Sequence, residues 1–283
     1  MGDSIMFKKK KRIAVFTVLK YLFLVFILLM VLFPFLWLTL SSFKMQKDII
    51  RWPPTIFPKH WTISNFIKVW DRIPLALYFK NTIIYSLFTA TLCTLLDAFA
   101  GYAFARLHFK GRDTLFTIVL LTMMIPFQII MIPLYLEEHY MGMLNTYAGL
   151  IIPHIATAYG IFFMKSFYTA LPESLEEAAR IDGANEFCLY GKVIFPLTKP
   201  AFITYFIFNI TGCWNDLLYP LMMTSTTKMR TLSAGLALFV GEGVRETGPA
   251  FAAALLSMLP LLIVYIFGQE SFVEGIAVSG MKE

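Results

Sequence analysis

Six stretches of this chain are too long and too apolar for an aqueous surface, and they constrain the fold more than any other feature. A helix needs about 20 apolar residues, rising 1.5 Å each, to cross the hydrocarbon of a bilayer. Runs that meet this need lie near 21–40, 81–103, 115–136, 147–164, 201–223 and 249–268. With 58% hydrophobic and 15% charged residues in 283, the composition agrees with membrane residence. The expected fold is all-α: one polytopic membrane domain over 1–283, with six transmembrane helices. The first run is too long for a signal-peptide core and no small-residue cleavage site follows it, so all six should remain.

Lys and Arg in the flanking loops set the orientation. Lys8 to Lys11, Arg12 and Lys20 precede the first span; Arg106, Lys110 and Arg112 follow the second; Lys165, Arg180, Lys192 and Lys199 lie between the fourth and fifth. Placing the N-terminus in the cytoplasm puts these and Lys282 on one side, 14 basic residues against 10. Both termini are then cytoplasmic, and so is a connecting loop over 168–200. The net charge of +6 is accounted for by these topology signals and by anionic lipid. No basic stripe interleaved with aromatics points to nucleic acid. Cys93, Cys188 and Cys213 are odd in number and lack metal-ligand spacing, and His60, His108, His139 and His154 are scattered. Neither a disulfide framework nor a metal site is expected.

Proline interrupts every span except the second: Pro34, Pro126, Pro133, Pro153, Pro220 and Pro260. These sites suit bendable helices around a pathway, though membrane helices also tolerate proline for packing alone. Asp97 and Asp216 are the formally charged residues inside the six runs. At mid-membrane each would cost about 3 kcal/mol facing lipid, so each should face the protein interior, a cavity or a partner. Their depths differ, which argues against a carboxylate dyad; a gating role and a structural hydrogen bond stay open for each.

The loop between the fourth and fifth runs contains LEEAARIDGANEFCLYGKVIFPLTKP. Pro172 suits a first helical turn, Glu173, Glu176 and Glu177 suit the positive end of a helix dipole, and Glu176 and Arg180 stand at i,i+4. Leu175, Ala178 and Ala179 share a face edged by Ile181, and Gly183 can supply a left-handed stop. A second amphipathic piece should run from Ala184 to Phe195 and end at Pro196. The two alanines would admit close approach of another protein, with acids and Arg180 beside them.

This stretch resembles the EAA loop of ATP-binding-cassette importer permeases. Glu177-Ala178-Ala179, three residues, Gly183, nine residues, Val193, one residue and Phe195-Pro196 follow the pattern EAA-x3-G-x9-I-x-L-P, with two conservative departures. YAFARL at 102–107, MIPFQIIMIPLYL at 124–136, NTYAGLIIP at 145–153, GIFFMKSF at 160–167, WNDLLYPL at 214–221 and GIAVSGMK at 275–282 are similar to the carbohydrate-importer permeases, specifically the smaller, maltose-type subunit. Asp97 stands where that family is expected to carry a small or apolar residue.

The resemblance implies a second permease subunit, a dimer of ATP-binding subunits and an extracytoplasmic solute-binding protein, importing a carbohydrate. ATP and Mg would sit on the ATPase, with no cofactor, catalytic residue or metal on this chain; a GxxxxGK[ST] phosphate loop is absent from the sequence. It also implies the coupling residues. Glu177 would pair with an ATPase arginine, Ala178 and Ala179 would pack closely beside Arg180 and Asp182, Gly183 would turn the chain, and Pro196 closes the pattern. The tail from Gly275 to Glu283 could add a further ATPase contact.

Candidate pathway residues are the polar groups Gln128, Asn209, Asn215 and Asp216, with Trp214 able to stack on a sugar ring. The outer segment at 52–66 could meet the binding protein or merely cap the bundle. An ion- or proton-coupled secondary transporter is the rival function, but neither a repeat nor a paired acidic site supports it. A membrane hydrolase would need a convergent nucleophile and base, and none is visible.

Overall fold

In hydrocarbon a backbone must satisfy its own hydrogen bonds, so apolar runs of this length become helices. The computed structural model describes residues 2–241 and 246–280, with side chains over 16–241 and 246–267. Its helices are α1 (Gly2–Ser42), α2 (Gln46–Ile49), α3 (Ser64–Arg72), α4 (Leu75–Arg106), α5 (Arg112–Thr122), α6 (Phe127–Tyr140), α7 (Tyr147–Ile151), α8 (Ala158–Ala170), α9 (Ser174–Ile181), α10 (Glu186–Leu189), α11 (Phe195–Asn215), α12 (Leu218–Met223), α13 (Leu232–Gly241) and α14 (Thr247–Gly280). A 3-10 turn at Ile152–His154 and a π turn at Tyr190–Ile194 link neighbours. By length and composition four helical segments can cross a membrane, or six when two bent pairs each count as one. The pairs are α5 with α6, bent by 95°, and α7 with α8, bent by 44°.

The chain divides into two compact units, residues 1–72 with 243–256 and residues 73–242 with 257–283. In the first, α1 presents every side chain from Phe16 to Leu36 outward, as a helix facing lipid or another subunit would. Its outgoing end is held by Asn65, whose amide donates to the carbonyls of Ser42 and Lys44 at 2.8 Å each. The buried Lys44 ammonium donates to Thr55 O at 2.5 Å and lies 4.3 Å from the Trp37 ring centre. Burial pulls its pKa below the ordinary lysine value, with Asp48 opposing. The Lys68 ammonium pairs with Glu246 and holds that carboxyl below the usual range.

The second unit is built on α4. Its buried positions, including Tyr78, Thr82, Tyr85, Thr89, Cys93, Asp97, Gly101 and Tyr102, recur at three- and four-residue intervals and face α8 and α11. At Gly101 a methyl group would lie 2.9 Å from Lys165 N and Met164 Cβ, so a glycine permits α4 and α8 to approach.

Asp97 is fully buried and joins three helices. It accepts hydrogen bonds from Thr157 N at 2.9 Å, Thr157 Oγ1 at 2.9 Å and Tyr205 Oη at 2.5 Å. Thr157 caps α8 in turn, its hydroxyl accepting from Gly160 N at 3.0 Å. The carboxyl therefore closes the backbone break between α7 and α8 and ties it to α4 and α11. Asp97 is engaged in packing the bundle, and a methyl on Gly160 would overlap both it and the Tyr205 hydroxyl.

Asp97→Ala strands the Thr157 amide in the interior, at about 1–3 kcal/mol for an unsatisfied group, and leaves the Thr157 and Tyr205 hydroxyls to each other at 2.8 Å. Tyr205→Phe removes the interhelical bonds of its hydroxyl to Asp97 and Thr157, each worth about 1 kcal/mol in a membrane. Thermal unfolding in detergent should show a lower midpoint for both variants, with the larger drop for Asp97→Ala.

Candidate functional site

The loop between the fourth and fifth apolar runs begins where α8 ends. Its helix α9 spans Ser174–Ile181 with Glu176 and Glu177 in the first turn and Arg180 in the last, both suited to the helix dipole. It stops in a Schellman arrangement: Ala184 N donates to Ala179 O and Gly183 N to Arg180 O, each at 3.0 Å. Gly183 has φ +83°, the left-handed conformation that its lack of a Cβ makes accessible. Asn185 then caps α10, its side-chain oxygen accepting from Cys188 N at 2.8 Å.

Two features differ from the sequence expectation. The second piece does not end at Pro196: α10, the π turn and α11 run on as one span from Glu186 to Asn215, with Pro196 in the first turn of α11. Proline is tolerated there because the π turn at Tyr190–Ile194 just before it adjusts the backbone bonding that the missing N–H would break. The two alanines also separate. Ala178 is exposed with Glu177, whereas Ala179 is half-buried against the core of Tyr102, Met164, Tyr168 and Leu189.

The outward face is mixed in chemistry. Glu177, Ala178 and Asp182 are exposed beside Ile181 and Phe187, which are 86% and 90% exposed. A cavity of about 340 Å³ opens next to it, lined by residues that include Arg106, His108, Arg112, Glu173, Glu177 and Arg180. Exposed large apolar groups ringed by charge mark a protein-contact surface. Glu186 accepts from Arg180 Nε at 3.1 Å, and this holds the guanidinium above the ordinary arginine pKa.

Beneath the helix the sequence reading missed the principal anchor. Arg106, counted among the topology charges, is buried and sits 2.9 Å through Nε from Glu176 Oε1. Its available signal was an arginine inside the apolar run YAFARL, four residues after Tyr102, rather than in a polar loop.

The pathway candidates fall into two groups. Gln128, just past the α5–α6 bend, and Asn215 are exposed. The other three are engaged within the bundle. Asn209 donates to Thr94 Oγ1 at 3.2 Å, and buried Trp214 donates from Nε1 to Ser257 O at 3.0 Å. Asp216 lies at the C-cap of α11 rather than within a continuous 201–223 span, accepting from Tyr85 Oη at 3.1 Å and Tyr219 N at 3.3 Å. Tyr85 and Asp97 are 12 residues apart on α4, about 18 Å along its axis, so the two aspartates belong to separate networks. A further carboxyl, Glu138, is buried because α6 continues to Tyr140, beyond the expected boundary at 136. It meets the hydroxyl of Tyr219, which also reaches Gly149 O at 2.5 Å.

Among the described residues no group of His, Cys, Asp and Glu could hold a metal ion. The described residues stop before Met281, and side chains of the basic cluster Lys8–Arg12 and of the tail beyond Phe267 lie outside them.

The family model for the binding-protein-dependent transport system inner membrane component matches residues 97–276. The chain belongs to that family. It is a multi-pass cytoplasmic-membrane permease of an ATP-binding-cassette importer and is not itself catalytic, ATP being used by a partner subunit.

The chain is 33% identical, over 91% of its length and 93% of the relative's, to the arabinooligosaccharides transport system permease protein AraQ of Halalkalibacterium halodurans. It is 32% identical, over 88% and 84%, to the diacetylchitobiose uptake system permease protein NgcG of Streptomyces coelicolor. A crystal structure of a bacterial ABC transporter involved in the import of the acidic polysaccharide alginate aligns with a TM-score of 0.79, 23% identity, and coverage of 91% of this chain and 96% of that one. That likeness concerns the fold.

Gly183→Ala forces a side chain into the left-handed region at about 1–2 kcal/mol. Amide exchange across 174–184 should quicken in this variant, while Gly191→Ala, at an ordinary φ with open space around it, should leave it unchanged.

Proposed function

We infer that this chain is the smaller, maltose-type permease subunit of a carbohydrate importer, acting beside a second permease, on two ATP-binding subunits, with an extracytoplasmic binding protein delivering the sugar. The observation that carries this reading is the division of adjacent glutamates in α9: Glu176 is buried on Arg106, and Glu177 is exposed with no ion-pair partner among the described residues. A carboxylate held outward on an anchored helix, between Ala178 and the exposed Ile181 and Phe187, suits capture of a basic side chain from an ATPase cleft.

In this mechanism ATP, with its Mg, stays on the partner. Closure of the ATPase dimer displaces α9, Gly183 keeps the turn, and the continuous helix from Glu186 to Asn215 carries the displacement into the membrane, exchanging inward-facing for outward-facing access. Asp182 and Arg180 flank the contact, and Pro196 starts the membrane part of that helix. Oligosaccharide permeases among the relatives support a carbohydrate substrate. Gln128 and Asn215 are the candidates best placed to meet it, because Asn209, Trp214 and Asp216 already hold bundle contacts. Both termini lie in the cytoplasm in this arrangement, and the exposed outer segment with Trp52, Phe57 and Trp61 faces the binding protein.

Glu177→Arg should leave the chain inserted and assembled with the second permease while reducing sugar uptake in proteoliposomes by about tenfold or more, the scale of a lost coupling interaction. Normal uptake in that variant would remove the loop from the mechanism.

A further inference from the structure

The coupling helix can transmit displacement only if it is fixed to the spans, and one side chain supplies most of that fixture. Arg106 occupies the last turn of α4 with its side chain 5% exposed, facing Glu176, 4% exposed. Its Nε is 2.9 Å from Glu176 Oε1, and Nη2 donates to Tyr168 O and Leu171 O at 2.5 Å each. Nη1 lies 3.6 Å from Glu173 Oε1. The two carbonyls lie at the end of α8: Tyr168 O, which also accepts from Leu171 N at 3.1 Å, and the O of the C-cap Leu171. One guanidinium thus joins the ends of α4 and α8 to the first turn of α9.

The contacts continue into a closed circuit. Glu176 Oε2 accepts from Arg180 Nη2 at 3.3 Å, Arg180 Nε donates to Glu186 Oε1 at 3.1 Å, and Tyr102 Oη donates to Glu186 Oε2 at 3.2 Å. Tyr102 is one turn before Arg106 on α4, so the chain of bonds begins and ends on the same helix. A ring of this kind fixes the orientation of α9 as well as its distance, which a single ion pair cannot do. The planar fork of arginine is needed, because a lysine ammonium cannot address acceptors in three directions with the same geometry.

The geometry points to Arg106 as the positioning residue that makes α9, α4 and α8 move as one body when the ATPase displaces the coupling helix. This rests on the reading of the Glu177 face as the ATPase contact. Arg106 touches neither sugar nor nucleotide; it acts through Glu176 and the α8 carbonyls.

The test uses the complete transporter in proteoliposomes, comparing Arg106→Lys, Glu176→Gln and Glu177→Arg. Three readouts are taken: sugar taken up per ATP hydrolysed, recovery of the assembled complex, and amide exchange over 174–181. Arg106→Lys should assemble and hydrolyse ATP yet import about tenfold less sugar per ATP, a typical coupling loss between sites, with faster exchange confined to 174–181. Glu176→Gln keeps the hydrogen-bonding shape but not the charge, and should shift both readouts in the same direction by a smaller factor. It carries the test if Arg106→Lys fails to insert. Unchanged uptake per ATP in the variants that assemble, with Glu177→Arg still uncoupled, would overturn the role of Arg106 and leave the coupling surface standing. Unchanged uptake in Glu177→Arg as well would overturn the functional reading beneath it.

Discussion

Hydrocarbon offers no partner to a broken backbone, and this constraint organises the membrane part of the protein. Two interruptions of the helices are met by a carboxylate. Asp97 accepts the Thr157 amide at the break between α7 and α8, and Asp216 accepts the Tyr219 amide after α11. The carboxyls that look from composition like candidates for ion coupling therefore serve the backbone, and α4, which supplies Asp97 and Tyr85, is the helix to which the breaks are referred. Bent spans become permissible at fixed places, which a transporter that must exchange two shapes requires.

The end of α4 nearest α9 follows the same logic with charge. At the end of α8 Arg106 donates to the carbonyls of Tyr168 and Leu171, and the same guanidinium pairs with Glu176. Burying a charge is tolerable only when it is paired and hydrogen-bonded: Arg106 is paired with Glu176 at 2.9 Å and hydrogen-bonds through Nη2 to the Tyr168 and Leu171 carbonyls, while Glu176 Oε2 accepts from Arg180. The result is a loop helix whose inner face is committed to its own chain and whose outer face, at Glu177, Ala178, Ile181 and Phe187, is left for another.

Much of this was legible in the sequence because it depends on local chemistry. Apolar length announced the spans, the acids and arginine of α9 announced a helix with its dipole satisfied, and Gly183 announced the left-handed stop. Spacing from Glu177 through Pro196 identified the loop's family. What escaped depends on three-dimensional partners. Arg106 reads as a topology charge until Glu176 and the α8 carbonyls are brought to it, and Ala178 and Ala179 look equivalent until packing separates them. Pro196 reads as a stop, yet the π turn just before it lets the helix run on. Glu138 lay just beyond an apolar run, where composition cannot tell a loop acid from one buried on Tyr219.

The most direct measurement is purification of the tagged chain from its native membrane in mild detergent, followed by mass spectrometry of the accompanying proteins, for wild type and Glu177→Arg in parallel. The account predicts a second permease with both, and an ATP-binding subunit with wild type that is depleted from the variant. Recovery of the wild-type chain alone, still transporting in proteoliposomes under an ion gradient, would contradict it.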